Sequence, residues 1–291
     1  MTITAQQVKE LRERTGVGMM ECKKALLNTA GDVDKAIEEM RKSGLAKAAK
    51  KASRIAAEGV VVVTINEKQA AITEINSETD FVAKDDSFMG FAQQVSQQAL
   101  TSQAQDVDTL MAESTEKGTL EDARQALIAT IGENIKVRRT AYISSNDVTG
   151  SYCHGNKIGV IVAMQGGNVD LAKDIAMHIA ASNPQVVAPS DVSAEAVDKE
   201  KEIFTAQALA SGKPANIAEK MVEGRIKKFL NEISLLGQPF VKNPDATVEQ
   251  TLQQADATVS RFIRFEVGEG IEKKVDNFAD EVMAQVQGSA G

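Results

Sequence analysis

The chain has 291 residues, enough for about two domains with hydrophobic cores of their own. A net charge of −8 argues against nucleic acid as the main partner, because surfaces that bind nucleic acid are usually basic. Cys22 and Cys153 lie in unrelated contexts, which indicates free thiols in a reducing compartment. No signal-peptide pattern opens the chain and its apolar runs are too short to span a bilayer, so we expect a soluble, cytoplasmic protein.

Residues 1–54 are predicted to form a three-helix module followed by a tether. Thr4 and Gln7 have the spacing of a capping box for the first helix, and Asp32 caps the third, which should end near Gly44. The core of so small a module is marginal. We therefore expect it to bind a partner rather than to catalyse a reaction.

Two features of this module have alternative interpretations. Met19 and Met20 open the second helix, where one could turn outward as an adaptable contact or both could be partly buried core residues. The Ala-rich stretch 45–58 carries four basic residues, Lys47, Lys50, Lys51 and Arg54. It could bind RNA, but because no aromatic residues interleave with these charges, a solvated tether helix is favoured.

The middle of the chain uses one order of elements twice. A hairpin, a helix and a third strand follow one another at residues 60–65 with 70–75, 88–99 and 135–143. The same order returns at residues 150–154 with 158–164, 168–181 and 259–267. In the first copy a polar helical region, 104–130, precedes the third strand. The repetition predicts two α+β units, each a small antiparallel sheet with helices on one face.

A long insert in the second unit predicts a helical arm. Its two apolar stripes have coiled-coil spacing, at Val192, Ala196, Ile203, Ala206 and Ala210 and then at Val222, Ile226, Phe229 and Ile233. We expect an antiparallel helical hairpin that stands off the body. The arm either associates with a second copy or another partner, or it folds back on its own core.

The predicted fold class is therefore α+β, with a three-helix module, a duplicated core, a protruding antiparallel coiled-coil arm and a C-terminal helix. The last segment has apolar residues at helical spacing, at Val275, Phe278 and Val282. The segments are 1–54 for the module and tether, 55–147 for the first core unit, 148–190 and 235–271 for the second, 191–234 for the arm and 272–291 for the C-terminal helical module.

The segment Thr79–Asp85, called the Phe81 loop below, lies at a corner between a predicted strand and a helix, where exposed functional residues are common. The loop is acidic, yet Phe81 and Val82 lie in its middle. The aromatic ring either plugs its own core or is presented to a partner. Residue type alone favours burial, because buried aromatic side chains are ordinary and exposed ones need a reason.

Catalytic and ligand-binding motifs are not found. The chain lacks a Gly-x-x-x-x-Gly-Lys-Ser/Thr loop and a Gly-x-Gly-x-x-Gly turn after a strand, so direct nucleotide binding is not expected. Its histidines, His154 and His178, have no Cys or carboxylate at metal-ligand spacing. Cys153 and His154 point to opposite faces of a strand, and Asp80 with Lys84 has the spacing of an ion pair. We expect no enzymatic activity, cofactor or metal.

Motifs in consistent order along nearly the whole chain resemble the bacterial elongation factor Ts family. They are LRERTGVGMM at 11–20, TDFVA at 79–83, GENI at 132–135, GSY with HG at 150–155, GQPFV at 237–241 and FIRFEVGEG at 262–270. The family has the same order of helical module, two-part core, coiled-coil arm and C-terminal helix. The chain departs from the family pattern in segment 101–121 and in the tail after Asp280.

The resemblance implies a guanine nucleotide exchange factor for elongation factor Tu. The family's UBA-like N-terminal module grips the partner's nucleotide-binding domain, which implies this role for Arg12, Met19, Met20 and Lys23. A loop inserts between helices of that domain and disturbs its magnesium site, and the matching residues here are Thr79, Asp80, Phe81 and Val82. Contact with a second domain of the partner is implied for His154, Phe240 and Val241. The C-terminal helix would touch the nucleotide-binding domain again.

The resemblance also reverses the expectation for Phe81, which it implies to be exposed. An alternative function is an RNA- or protein-binding adaptor that uses the basic tether and the three-helix module and has no exchange activity. Such an adaptor would retain RNA at moderate salt and ignore elongation factor Tu. Self-association through the arm is a further expectation.

Overall fold

The computed structural model describes residues 3–15, 18–116, 118–210 and 214–272. Its N-terminal module has three helices, α1 (Ala5–Thr15), α2 (Met19–Asn28) and α3 (Val33–Lys51). The predicted capping box is present, since Thr4 N–H donates to Gln7 Oε1 at 3.0 Å and Gln7 N–H donates to Thr4 Oγ1 at 3.2 Å. The helices enclose a small core of buried side chains, Val8, Leu11, Cys22, Ala25, Leu26 and Ala36.

The first core unit is an antiparallel sheet with helices on one face. In chain order its elements are β1 (Glu58–Ile65), β2 (Gln69–Ser77), α4 (Asp86–Ser102), α5 (Val107–Met111), β3 (Ser114–Thr115), β4 (Gly118–Thr119), α6 (Leu120–Ile131) and β5 (Lys136–Ser144). The strand order is β1–β2–β5, which confirms the predicted hairpin and third strand.

The region 104–130 is not helical throughout, so that prediction is wrong. The short strands β3 and β4 pair between α5 and α6. Thr119 then starts α6 with a capping box, in which Asp122 N–H donates to Thr119 Oγ1 at 3.1 Å and Thr119 N–H donates to Asp122 Oδ2 at 2.9 Å. This cap begins a new helix because it satisfies N–H groups that have no partner within the helix.

Helix α3 continues to Lys51, so the prediction that it ends near Gly44 is also wrong. The residues that follow Gly44 are mainly Ala and Lys, which favour helix, and one interior glycine costs only about 1 kcal/mol. Helix α3 packs against α6, and an ion pair of Arg41 with Asp122 at 2.7 Å joins them. The tether is therefore the end of one continuous helix that rests on the core.

The second core unit repeats the first around the arm. Its elements are β6 (Val148–His154), β7 (Ile158–Gln165), α7 (Val169–Ser182), the arm helices α8 (Ala194–Ala210) and α9 (Ala215–Ile233), then β8 (Pro239–Phe240), β9 (Asn243–Thr247), α10 (Val248–Gln254) and β10 (Thr258–Glu266). The strand order is β10–β7–β6. In both sheets the second strand of the hairpin is central, so the duplication extends to strand topology.

The two sheets pack face to face, which the sequence analysis did not predict. Their shared core contains Val61, Ala70, Ile72 and Ile143 from the first unit and Ile161, Ala163 and Phe265 from the second. Helix α4 packs on the outer face of the first sheet and α7 on that of the second, and α6 and α10 contribute side chains to the same two cores. Strands β1 and β7 are thus buried on both faces, which explains their continuous apolar runs.

Gly159 of β7 lies where the two sheets approach most closely. A Cβ atom at this position would overlap Val61 Cγ1 and lie 3.2 Å from Ile72 Cδ1. Glycine is therefore required here by the close approach of the sheets, and a larger residue would push them apart.

The arm consists of α8 packed against α9. The α9 stripe contacts α8 through Val222 and Ile226, as predicted, but the predicted α8 stripe is wrong. Phe204 and Ala208 face α9, whereas Ile203 is 40% exposed. The predicted C-terminal helix lies outside the described residues, apart from Glu272.

Candidate functional site

The Phe81 loop presents its aromatic ring to solvent. Phe81 is 81% exposed, at the turn between β2 and α4. The backbone after it forms a 3₁₀ turn, in which Lys84 N–H donates to Phe81 O at 3.1 Å and Asp85 N–H donates to Val82 O at 3.0 Å. The ring therefore projects from a hydrogen-bonded turn, and its interpretation as a plug of its own core is wrong.

The C-terminal end of the loop is anchored by burial and by a helix cap. Val82 and Ala83 pack against the first core beside the fully buried Phe88. Asp85 caps α4 by accepting hydrogen bonds from Ser87 N–H at 2.9 Å and Phe88 N–H at 3.2 Å. Hydrogen bonds from the Ser87 hydroxyl and the Phe88 N–H hold the pKa of Asp85 below its usual 3.8. Its carboxylate is therefore charged at neutral pH.

The surface beside the ring is acidic. Asp80 forms the predicted ion pair with Lys84 at 2.9 Å, and because both side chains are largely exposed, the pair contributes little to stability. Asp85 and Asp86 follow on the exposed side of the turn. A partner that contacts Phe81 therefore meets an acidic loop, because Asp80 precedes Phe81 in the chain and Asp85 and Asp86 follow it.

Two residues of the first unit were not singled out by sequence analysis. Glu133 was named only within the GENI motif, yet its carboxylate accepts hydrogen bonds from Glu78 and Thr79 at the start of the Phe81 loop. Glu74 is fully buried and pairs with Arg138 and Arg139. Glu133 and Thr79 are 54 positions apart in the sequence, and Glu74 and Arg138 are 64 positions apart. No local spacing therefore indicates either contact.

The N-terminal module has an exposed apolar face on α2. Met19 and Met20 are 59% and 77% exposed, so neither of the two interpretations, which buried one or both, is correct. Lys23 and Leu27 follow at helical spacing, and Leu27 is a further exposed apolar residue that the sequence analysis missed. Arg12 is exposed on the neighbouring helix α1.

A groove of about 630 Å³ lies between the module and the first core unit. One side is lined by Lys24, Ala25 and Asn28 of α2, and the other by Ser87 and Phe91 of α4. Ser87 directly follows the aspartates of the Phe81 loop. The groove thus separates α2 from the start of α4, but Met19, Met20 and Phe81 are not among the residues that line it.

The remaining predicted residues belong to the second unit. His154 is exposed at the end of β6, with Tyr152 Oη 3.3 Å from its Nδ1. Val241 is 45% exposed, but Phe240 is buried and its ring lies 5.8 Å from the ring of His178. Phe240 can therefore position Val241, but its ring cannot contact a partner without leaving the core.

His178 supports the segment that carries Val241. Its Nδ1 accepts a hydrogen bond from Val241 N–H at 3.2 Å, so Nε2 carries the proton and donates to Gln238 Oε1 at 2.9 Å. Burial lowers the pKa of His178 from its usual 6.5, against the opposing effect of the Gln238 hydrogen bond. The neutral ring is thus the form that holds this segment.

We predict that His178 makes the second unit sensitive to mild acid. Because its pKa is lower in the folded chain, the unfolded chain binds the proton first as pH falls below 6.5. Stability should therefore fall by up to about 1.4 kcal/mol per pH unit in this range. Urea unfolding between pH 7.5 and 5.5 should show a smaller loss for His178→Gln. The exposed His154, changed to Gln, is the control; equal losses in wild type and His178→Gln would contradict the prediction.

Within the described ranges, no group of three or more His, Cys, Asp or Glu side chains could hold a metal ion. No described helix is both long and apolar enough to cross a membrane. Among the predicted partner-contact residues in this part of the chain, those of the Phe81 loop and the α2 face include the most exposed apolar side chains.

Comparison with known proteins gives consistent matches. The model of the family "Elongation factor TS" matches residues 78–269. Proteins named elongation factor Ts from Thioalkalivibrio sulfidiphilus and Methylococcus capsulatus are 59% and 60% identical over 293 residues, covering 99% of this chain and 100% of each relative. The one from Francisella tularensis subsp. novicida is 58% identical over 287 residues, covering 98% of this chain and 99% of that protein. The chain therefore belongs to the elongation factor Ts family.

Proposed function

We propose that the chain is a guanine nucleotide exchange factor that binds elongation factor Tu with GDP and promotes release of the GDP, so that GTP can bind. It acts in the cytoplasm, where the partner works in translation elongation. The observation that carries the proposal is the exposed ring of Phe81, held on an ordered acidic turn. An apolar ring fixed in this way suits insertion between elements of a partner.

The mechanism needs no catalytic group. A factor that binds the nucleotide-free partner more tightly than the nucleotide-bound partner must, by linkage, weaken nucleotide binding by the same factor. The chain therefore acts by binding and not as an enzyme. Asp80 and its acidic neighbours add electrostatic repulsion of phosphate and compete with it for the magnesium ion.

Phe81 cannot supply the whole effect. Burial of one phenylalanine is worth roughly 1.5–3 kcal/mol, or about one to two orders of magnitude in affinity. The additional contacts come from the N-terminal module, through Arg12, Met19, Met20 and Lys23, with the nucleotide-binding domain. His154 and Val241 add contacts with a second domain of the partner. Together with the contacts of the N-terminal module, these orient Phe81 toward the magnesium site.

Co-purification tests the partner. The tagged chain should retain elongation factor Tu, and GDP with Mg²⁺ should release it, because nucleotide and chain oppose each other's binding. RNA retained at moderate salt without elongation factor Tu would instead support an adaptor that uses the basic end of α3. Binding of elongation factor Tu that GDP and Mg²⁺ leave unchanged would contradict exchange by this mechanism.

We also propose that the arm mediates self-association. Ile203, Leu209 and Ile217 are exposed apolar side chains on α8 and α9. Sedimentation of the whole chain should show association that a chain lacking residues 193–232 does not. A monomer in both cases would contradict this role.

A further inference from the structure

Three hydrogen-bond donors at the start of the Phe81 loop bind one carboxylate, that of Glu133. Glu133 Oε2 accepts hydrogen bonds from Glu78 N–H at 3.1 Å and Thr79 N–H at 3.0 Å, and its Oε1 accepts one from the Thr79 hydroxyl at 2.7 Å. Hydrogen bonds to a carboxylate are stronger than those between neutral groups. Three donors on two successive residues are thus held by a single side chain.

The connection is reciprocal. Glu78 Oε1 accepts a hydrogen bond from Asn134 N–H at 2.6 Å, so each glutamate holds the backbone of the segment that carries the other. Residues 78–79 and 133–134 therefore cannot shift relative to each other without breaking several hydrogen bonds at once. We call this arrangement of Glu78, Thr79, Glu133 and Asn134 the glutamate clamp.

The glutamate clamp also binds the residues at and just after the end of α3. Asn134 Nδ2 donates to Arg54 O at 2.8 Å, and the Arg54 side chain pairs with Glu78 at 3.5 Å. Lys51 at the last position of α3 donates to Gly132 O. The helix that belongs to the N-terminal module is therefore tied to the same segment that holds the Phe81 loop.

Hydrogen bonds of Thr79 connect the glutamate clamp to the turn that carries Phe81. The Thr79 hydroxyl, which donates to Glu133, also accepts from Val82 N–H at 3.4 Å. Ala83 N–H donates to Thr79 O at 3.4 Å, and the same carbonyl accepts from the Ser77 hydroxyl at 2.9 Å. Thr79 is thus the first residue of the turn that projects the ring, so its position sets the direction of Phe81.

A purely stabilising role accounts less well for this geometry. Val82, Ala83 and Phe88 already anchor the loop in the core, and the side chains of Glu78, Thr79 and Glu133 are only partly buried. Water could replace hydrogen bonds at such a site with little loss of stability. Water could not fix the loop in one orientation relative to α3.

We propose that Glu133 is the positioning residue that orients Phe81 and couples its placement to the N-terminal module, an inference that rests on the proposed exchange function. A loop that is already oriented loses less conformational entropy on binding, so more of the contact energy is available for displacing nucleotide. The glutamate clamp places the ring and the module so that both meet the partner together.

Exchange assays with variants of the full chain test this role. Glu133→Ala should lower the stimulated rate of GDP release from elongation factor Tu by roughly tenfold, because small misplacements of a contacting group have effects of this order or larger. Glu133→Gln should restore most of the rate, since its amide oxygen can accept both N–H groups and its amide nitrogen can donate to the Thr79 hydroxyl. Glu67→Ala, in the exposed β1–β2 turn, is the matched control and should leave the rate unchanged.

The double variant separates positioning from general stabilisation. If Glu133 acts through Phe81, Glu133→Ala should cause no further loss when Phe81 is already Ala. If the double variant slows GDP release by the product of the two single-variant reductions, the two residues act independently and the proposal is overturned. A normal release rate for Glu133→Ala would also overturn it. Failure of Phe81→Ala itself to slow exchange would instead contradict the proposed function. Should Glu133→Ala not fold, Thr79→Val removes the hydroxyl that donates to Glu133 and accepts from Val82 N–H, and it must show a loss of the same Phe81-dependent kind.

Discussion

Replacing Phe81 with Ala should slow GDP release stimulated by the chain about 10- to 100-fold, because the ring contributes roughly 1.5–3 kcal/mol when a partner buries it. The fold should be unaffected, since the ring is 81% exposed and the turn is held by backbone hydrogen bonds. Stopped-flow release of a fluorescent GDP from elongation factor Tu, with the chain below saturation, measures the effect. Thermal unfolding of the variant checks that the fold persists.

A matched control is available in the second unit. Val169 is 63% exposed at the start of α7 and belongs to none of the predicted contacts, so Val169→Ala should leave the release rate unchanged. A Phe81→Ala variant that releases GDP as fast as the wild type would contradict the role of the loop. Equal slowing by both variants would mean that loss of any exposed apolar side chain suffices.

Replacing Glu74 with Ala should lower the free energy of unfolding by about 3–5 kcal/mol, the cost of removing one partner from a buried ion pair. Glu74 is fully buried on β2, where it accepts hydrogen bonds from Arg138 at 3.1 Å, from Arg139 and from Gly268 N–H at 2.8 Å. It thereby joins the first sheet to the turn after β10. Urea unfolding at neutral pH measures the loss, and Glu67→Ala in the exposed β1–β2 turn is the control for removal of a glutamate.

Acid should weaken the same contact. Burial by itself raises the pKa of Glu74, but the Gly268 N–H and Arg139 more than offset it, so that the pKa lies below its usual 4.5. The unfolded chain then takes up the proton first, and the stability that Glu74 provides above pH 4.5 is lost as pH falls below this value. Glu74→Gln should lose less stability than the wild type in this range. Identical acid dependence would show that Glu74 carries no such stabilisation.

Regular periodicity made most of the fold predictable. The apolar runs at 60–65 and 70–75, with a turn between them, gave a correct hairpin, and the repeated order of elements gave a correct duplication. Elements that depend on tertiary contacts were missed. Helix α3 passes Gly44 while packing on α6, and the stripe of α8 depends on which side faces α9. The division of the chain into six segments stays a prediction.

The residues of the candidate site were harder to predict from local sequence patterns than the secondary structure was. Residue type favoured a buried Phe81, and only the family resemblance indicated exposure, because burial is decided by the surroundings of a loop and not by the ring. The same limit applies to Phe240, whose ring packs on His178. Glu133 reaches Thr79 across 54 residues, so no helical or strand spacing reveals it. Patterns within the chain thus predict elements, whereas the groups that orient a functional loop come from distant segments.

The most direct test of exchange by linkage compares two pairs of affinities. Elongation factor Tu is titrated with fluorescent GDP in the presence and absence of saturating chain, and with the chain in the presence and absence of GDP with Mg²⁺. The proposed mechanism predicts that the chain weakens GDP binding, and that GDP weakens binding of the chain by the same factor. An affinity for GDP that is unchanged when the chain is bound would contradict it.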